Sequence, residues 1–172
     1  LGDGGALEVS QTSVAELGRV GTVTGGDAGL WKDLLASGRT PVVASIGLDT
    51  AGTLLNVNAD DAALGAAIAV GARGLVLVTD TAGVLDADRE VIGELTAERA
   101  EALIESGTIH SGMIPKVAAA LAAAEQLGAP VHIVPACGLG SALAGEPIGT
   151  VVMPPSRSRP RDAKASRAGL PV

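Results

Sequence analysis

Apolar residues in this chain fall into short continuous runs separated by longer stretches with helical spacing. The runs are "GRVGTVTG" (18–25), "TPVVAS" (40–45), "GLVLVTD" (74–80), "PVHIVPA" (130–136) and "GTVVM" (149–153). Short β-branched runs bounded by Gly and Pro predict strands, and unbroken apolarity predicts strands buried on both faces. The intervening stretches predict helices at 28–38, closed by Gly38, and from Asn58 or Ala59 to Gly71. A polar-faced helix is expected over 96–107, an alanine-rich one over Met113–Leu127, and a short one in "SALAG" (141–145). "DTAGTLLN" (49–56) predicts a reversal through Gly52. Strands alternating with helices imply an α/β fold with a mainly parallel sheet covered on both faces. No internal repeat is visible, and no linker before residue 153.

Composition narrows this picture. Of 172 residues 47% are hydrophobic but only 1% aromatic, so Ala, Val, Leu and Ile must build the core. The single cysteine, Cys137, excludes an intrachain disulfide and fits a reducing, cytoplasmic setting. With no basic neighbour in sequence, it is expected to be a small buried residue. Residues 62–79 approach the length of a membrane span, but Arg73 and glycines at 65, 71 and 74 interrupt them, so no membrane association is expected. The chain begins at Leu1, without Met or a signal pattern, and is expected to be a piece of a longer polypeptide. Residues 1–153 carry seven Lys/Arg against 18 Asp/Glu, a net −11, which argues against a grip on nucleic acid. Residues 154–172 are basic, proline-bearing and aperiodic, and are expected to be a disordered tail.

Ligands of such sheets sit at the carboxyl ends of strands, where helix N-termini converge. Three segments fall there: "NVNADD" (56–61), "TDTAGVL" (79–85) and "TIHSGMIPK" (108–116). Each has a plain structural reading. Asn58, Asp60 and Asp61 are good helix caps, and "TDTAGVL" is an ordinary strand exit turning at Gly83. Lys116 resists such a reading. Ser111 or Gly112 would cap its helix and Pro115 suits the first turn, but a cation there opposes the macrodipole. A bound phosphate would explain it; the alternative is a solvated surface lysine.

Other motifs carry less. "GLGSALAG" (138–145) follows a strand like a dinucleotide fingerprint, but too little folded chain follows to complete a βαβ unit. There is no Walker loop. His110 and His132 lack metal-ligand spacing and any carboxylate pattern of a hydrolytic triad. His132 reads as a strand histidine.

"LGDGGALEVSQ…ELGRVG", "PVVASIGLDTAGTLLNVNADDAA", "LVLVTDTAGVL", "SGMIPKVAAAL" and "IGTVV" occur in this order from Leu1 to about Val152. Together they resemble the C-terminal half of the acetylglutamate kinases, within the amino acid kinase family. The combination of NVNAD, a strand-ending Asp followed by GVL, and GMIxK is specific; each alone would be weak. The resemblance implies a three-layer αβα open sandwich, of which residues 1–153 form the nucleotide-binding C-terminal lobe. It implies transfer of the ATP γ-phosphoryl group, with Mg²⁺ carried on the nucleotide, to the γ-carboxylate of N-acetyl-L-glutamate in arginine biosynthesis.

Residue by residue, the resemblance assigns Asn56 to the substrate α-carboxylate and Asp60 to orienting catalytic lysines. Lys116 would stabilise charge on the transferring phosphoryl group. Asp80, Thr81, Ala82, Gly83, Val84 and Leu85, with Thr108, Ile109 and His110, would line the nucleotide site. The chemistry is coherent, since a carboxylate acceptor with a pKa of about 4.3 needs no general base, only positioning and positive charge. The family's N-terminal lobe supplies a glycine-rich loop, a second lysine, a substrate-binding arginine and a homodimer interface, none of which lies in these residues. Two alternatives therefore stand: an aminoadipate-type carboxylate kinase of the same family, and a catalytically silent nucleotide-binding module.

Overall fold

The computed structural model describes residues 5–12 and 18–155. The tail expected to be disordered lies, beyond residue 155, outside the described residues. In chain order the elements are β1 (Glu8–Gln11), β2 (Val20–Gly25), α1 (Ala28–Ala36), β3 (Ile46–Leu48), β4 (Leu54–Val57), α2 (Ala59–Val70) and β5 (Leu75–Thr79). There follow β6 (Glu94–Leu95), α3 (Ala97–Glu105), α4 (Met113–Leu127), β7 (Val131–Pro135), a 3-10 turn (Ala136–Gly138), α5 (Leu139–Leu143) and β8 (Thr150–Val152).

The strands form two sheets. β1-β2-β4-β3 close on one another as a small barrel, with β1–β2 and β3–β4 antiparallel and β2–β4 and β1–β3 parallel. The second sheet has the order β5-β7-β8-β6, with β5–β7 and β6–β8 parallel and β7–β8 antiparallel. The expected α/β class and parallel pairing are present. The antiparallel β7–β8 step follows from the short α5 connection, which returns the chain beside the strand it left.

Helix α2 joins the two halves. It packs on β2 of the barrel, on β5 of the second sheet and on α4. Its Ala62 belongs to one apolar core with Leu7, Val9, Trp31, Leu55 and Val57, while Ala63 and Leu64 pack against the other. That second core is built from Leu77, Val84, Leu95, Val131, Ile133 and Val152, with Val117, Ala120 and Ala124 on one face of α4. Small residues permit this closeness: a Cβ at Gly65 would stand 2.5 Å from Val23 Cγ1. The one tryptophan, Trp31, is buried and donates its Nε1–H to the Ala6 carbonyl at 2.9 Å.

Capping residues set the helix limits. Asp27 accepts from the N–H groups of Gly29 and Leu30, Asn58 from those of Asp60 and Asp61, and Thr96 from that of Arg99. The Glu98 carboxyl is held below its ordinary range by its own backbone N–H and by the Thr96 hydroxyl. Gly71 and Gly128 end α2 and α4 in the left-handed conformation. Among the described residues no helix is long and apolar enough to cross a membrane.

Three expectations are corrected. Residues 40–45 are not a strand; the strand starts at Ile46. The Asp49 side chain accepts from the N–H groups of Ala51 and Thr53 and fixes the hairpin register at Ile46↔Asn56. β4 then ends at Val57 as α2 begins, so residues 40–44 have no strand opposite, and Val42 is 86% exposed. Cys137 is exposed, because the 3-10 turn carries it beyond the end of β7. The short C-terminal helix occupies Leu139–Leu143 rather than 141–145. Strands β1 and β6 escape the apolar pattern because "EVSQ" and "EL" each bury a single residue.

Burial predicts a contrast. Val42→Lys should change the stability of this chain by no more than about 0.5 kcal/mol. Leu95→Ala, at a fully buried site, should cost about 2–5 kcal/mol. Urea midpoints of the two variants check both values.

Candidate functional site

Topology places two helix N-termini at one end of the molecule. Helix α2 leads into β5, which pairs in parallel with β7, and α4 leads into β7; both connections are short. A helix that returns directly into a strand of the sheet it covers has its N-terminus at that strand's carboxyl end. The start of α2, the start of α4 and the exits of β5 and β7 therefore share one edge, with Thr79 paired to Pro135.

At this edge Lys116 reaches back to Asp60. Its Nζ donates to Oδ1 at 3.2 Å and to Oδ2 at 3.1 Å, and the two side chains retain 20% and 24% exposure. Asp60 lies in the first turn of α2, where its charge complements the helix dipole. Asn58, and not Asp60, supplies the cap, so both Asp60 oxygens are available to the lysine. Lys116 sits one turn into α4, against that helix's dipole, and the carboxylate offsets the mismatch.

The start of α4 is otherwise bare. Gly112 caps it without a side-chain bond, and Ser111 before it has φ +48°. The N–H groups of Met113 and Ile114 donate to the His110 and Ser111 carbonyls, and Pro115 has none. What this terminus offers an anion is its dipole and the Lys116 ammonium, more than a cradle of free N–H groups.

The loop leaving β5 is fixed over the second sheet. Thr79 Oγ1 donates to Asp80 Oδ1 at 3.3 Å, and Thr81 Oγ1 donates to the Gly83 carbonyl at 3.1 Å. Val84 N–H donates to Thr150 Oγ1 at 2.8 Å, and Leu85 bridges to Val91. Gly83 and Val84 are buried, Thr81 and Leu85 half-buried, and Asp80 and Ala82 exposed. Between α3 and α4, Ile109 is buried in the same core as Val84. Thr108 Oγ1 lies 3.1 Å from Ser106 Oγ, and the exposed His110 places Nδ1 3.4 Å from Ser111 Oγ.

Asn56 stands apart. Leu55 and Val57 point into the core, so the alternation of β4 turns Asn56 outward. Among the described residues the side chains of Asn56 and His110 form no hydrogen bond with the Asp60–Lys116 pair. A groove of about 490 Å³ between β2, α2 and α4 takes in Asp61, Leu64 and Gln126 but neither Asp60 nor Lys116. No three His, Cys, Asp or Glu side chains gather as a metal site among the described residues. The residue that sequence reasoning passed over is Thr150, the one buried polar side chain among the described residues. Its only signal was a hydroxyl in the apolar run "GTVVM".

The profile of the Amino acid kinase family matches residues 3–135. The chain belongs to the amino acid kinase family. It is 50% identical over 133 residues to an acetylglutamate kinase of Pectobacterium carotovorum subsp. carotovorum (strain PC1). The match takes in 77% of this chain and 51% of the relative, so the chain spans about half the length of that enzyme. Among solved structures, smu.665 from Streptococcus mutans UA159 superposes with a TM-score of 0.72 at 28% identity, over 86% of this chain and 56% of that one. N-acetylglutamate synthase from Neisseria gonorrhoeae, complexed with coenzyme A and L-arginine, gives a TM-score of 0.76 at 23% identity, over 87% of this chain and 37% of that one. The second likeness is one of fold. Together they place the mixed α/β architecture, expected as an αβα sandwich, among the amino acid kinases and their structural neighbours.

Capping and ion pairing should separate in this family member. Asn58→Ala should lower stability by about 0.5–2 kcal/mol through loss of the α2 cap. Asp60→Asn, which leaves that cap in place, should cost no more than about 1 kcal/mol. Chemical denaturation of both variants checks the order.

Proposed function

We propose that this chain is the nucleotide-binding half of an acetylglutamate kinase, an ATP-dependent phosphotransferase with a carboxylate acceptor. The observation that carries the reading is the bidentate Asp60–Lys116 pair where two helix N-termini meet. Its support from relatedness is the acetylglutamate kinase of Pectobacterium at 50% identity.

In this reading, Lys116 places a compact positive charge where negative charge develops on the transferring phosphoryl group. Asp60 holds the ammonium in one position before substrate arrives, so the stabilisation needs no rearrangement during the reaction. Asn56, outward on β4, holds the α-carboxylate of N-acetyl-L-glutamate. The nucleotide lies against Asp80 to Leu85 and Thr108 to His110, below the dipole of α4. These residues suit ATP: the lysine and the helix terminus face its phosphates, while the apolar Val84 and Ile109 fix the loops behind them. Mg²⁺ carried on the nucleotide would supply further charge neutralisation beside Lys116. The acceptor carboxylate is already ionised near neutrality, so no proton must be removed. Homodimerisation through the remaining half of the enzyme belongs to the same reading.

The lysine decides between this and a catalytically silent module. In the complete enzyme, Lys116→Ala should lower kcat by roughly two orders of magnitude or more, as loss of a preorganised charge costs on the order of 3 kcal/mol. Its melting temperature should stay near that of the unsubstituted enzyme, because loss of the partly exposed pair with Asp60 is offset by relief of a charge opposed to the α4 dipole and by the helix propensity of Ala. Lys116→Arg should rescue poorly, since a planar fork cannot occupy the place of an ammonium. Unchanged turnover in Lys116→Ala would overturn the assignment.

The 172-residue chain by itself should bind ATP or ADP weakly and form no acyl phosphate. Trapping with hydroxylamine in the presence of ATP and N-acetyl-L-glutamate checks this. Turnover by the complete enzyme with N-acetyl-L-glutamate, against a carrier-linked aminoadipate, separates the two carboxylate substrates.

A further inference from the structure

We propose that Thr150 is a positioning residue for the nucleotide loop, holding the Asp80–Leu85 backbone in its binding conformation through one hydrogen bond; this rests on the nucleotide reading above. Thr150 opens β8, opposite Ile133 of β7, and is fully buried. Its Oγ1 accepts the Val84 N–H at 2.8 Å across a separation of 66 residues. A hydroxyl in an otherwise apolar strand needs a reason, since its burial is unfavourable without a partner. Here the partner is a loop that leaves a different strand of the same sheet.

The contact is close along its whole length. A Cβ at Gly83 would stand 2.9 Å from Thr150 Oγ1, 3.0 Å from Val91 Cγ1 and 3.2 Å from the Gly149 carbonyl carbon. Gly83 also has φ +154°, which disfavours side chains, so the chain crosses β8 there only as glycine. On one side of this crossing, Thr81 is tied to the Gly83 carbonyl. On the other, Ile92 N–H donates to the Val84 carbonyl at 2.8 Å. Val84 is thus held through both its N–H and its C=O, and Thr150 supplies the bond that reaches to β8. Losing it frees the stretch from Asp80 to Gly83, whose exposed members would face the nucleotide.

A purely structural bond and a positioning bond differ in what their loss changes. The first lowers the melting temperature alone; the second weakens nucleotide binding by protein that is still folded. The test uses the 172-residue chain, with binding of Mg·ATP measured by displacement of a fluorescent ATP analogue well below every variant's melting temperature. Thr150→Val keeps shape without the acceptor, Thr150→Ser keeps the acceptor, and Leu7→Ala in the other core is a destabilised control. The expected result is a Kd raised about tenfold in Thr150→Val and within about twofold of the unsubstituted chain in Thr150→Ser and Leu7→Ala. Hydrogen exchange at the Val84 amide should accelerate in the valine variant alone. Should Thr150→Val fail to fold, Thr150→Cys, a weaker acceptor, replaces it and must bind more weakly than Thr150→Ser.

Unchanged affinity alongside faster Val84 exchange would overturn the proposal while leaving the nucleotide reading intact. An equal loss in Leu7→Ala would overturn it too, since affinity would then follow stability. No binding by the unsubstituted chain would overturn the nucleotide reading for this chain, and the proposal with it.

Discussion

Bringing the positive ends of two helices together, with a lysine between them, is unfavourable unless a carboxylate stands there as well. Asp60 meets that constraint, and much of the molecule serves to place it. Helix α2 must start where α4 starts, which requires both helices to return into neighbouring parallel strands through connections of similar length. Asn58 must take the capping role so that Asp60 remains free to turn sideways. Lys116 must follow Pro115 in the opening of α4, far enough into the helix to reach across. The pair is half-buried, so its electrostatic yield is moderate; its worth lies in fixing the direction of an ammonium.

Small side chains make that arrangement possible. With a single tryptophan and no other aromatic residue, the two cores are filled by Leu, Val, Ile and Ala. Alanine on α2 and α4 lets the helices approach each other and both sheets closely, at the expense of apolar area per residue. Gly65 beside Val23 and Gly83 over Thr150 are two of the places where even a methyl group is too much. Precision at the shared edge is therefore obtained from backbone proximity and not from interlocking bulky groups.

Much of this was legible in the sequence. Helix limits were readable because Asn58, Gly38, Gly71 and Gly107 are local signals that need no tertiary context. The start and end of α4 were equally plain. The oddity of Lys116 was visible as a local conflict with the dipole, and its resolution by Asp60 needed only a suspicion that the two helices start together. Residues 40–45 misled because apolar β-branched composition reports suitability for a buried strand, while pairing depends on what lies opposite. Thr150 was invisible for the converse reason: its partner is 66 residues away in sequence, and threonine is ordinary in a strand. Cys137 was misplaced because the lack of a basic neighbour in sequence says nothing about where the chain leaves the sheet.

The stretch at 40–44, with no strand opposite it, has a colloidal consequence. Val42 is 86% exposed beside backbone groups that pair with no strand, a place where a second chain segment can be laid, as in edge-to-edge association. Opposing it is the net charge of −7 on the chain, which makes copies repel at low ionic strength. Added salt shortens the reach of that repulsion to about 10 Å at 0.1 M while leaving the apolar segment untouched. The same chain should therefore disperse better in dilute buffer than in concentrated salt, an inversion of the usual practice of adding salt to keep a protein in solution.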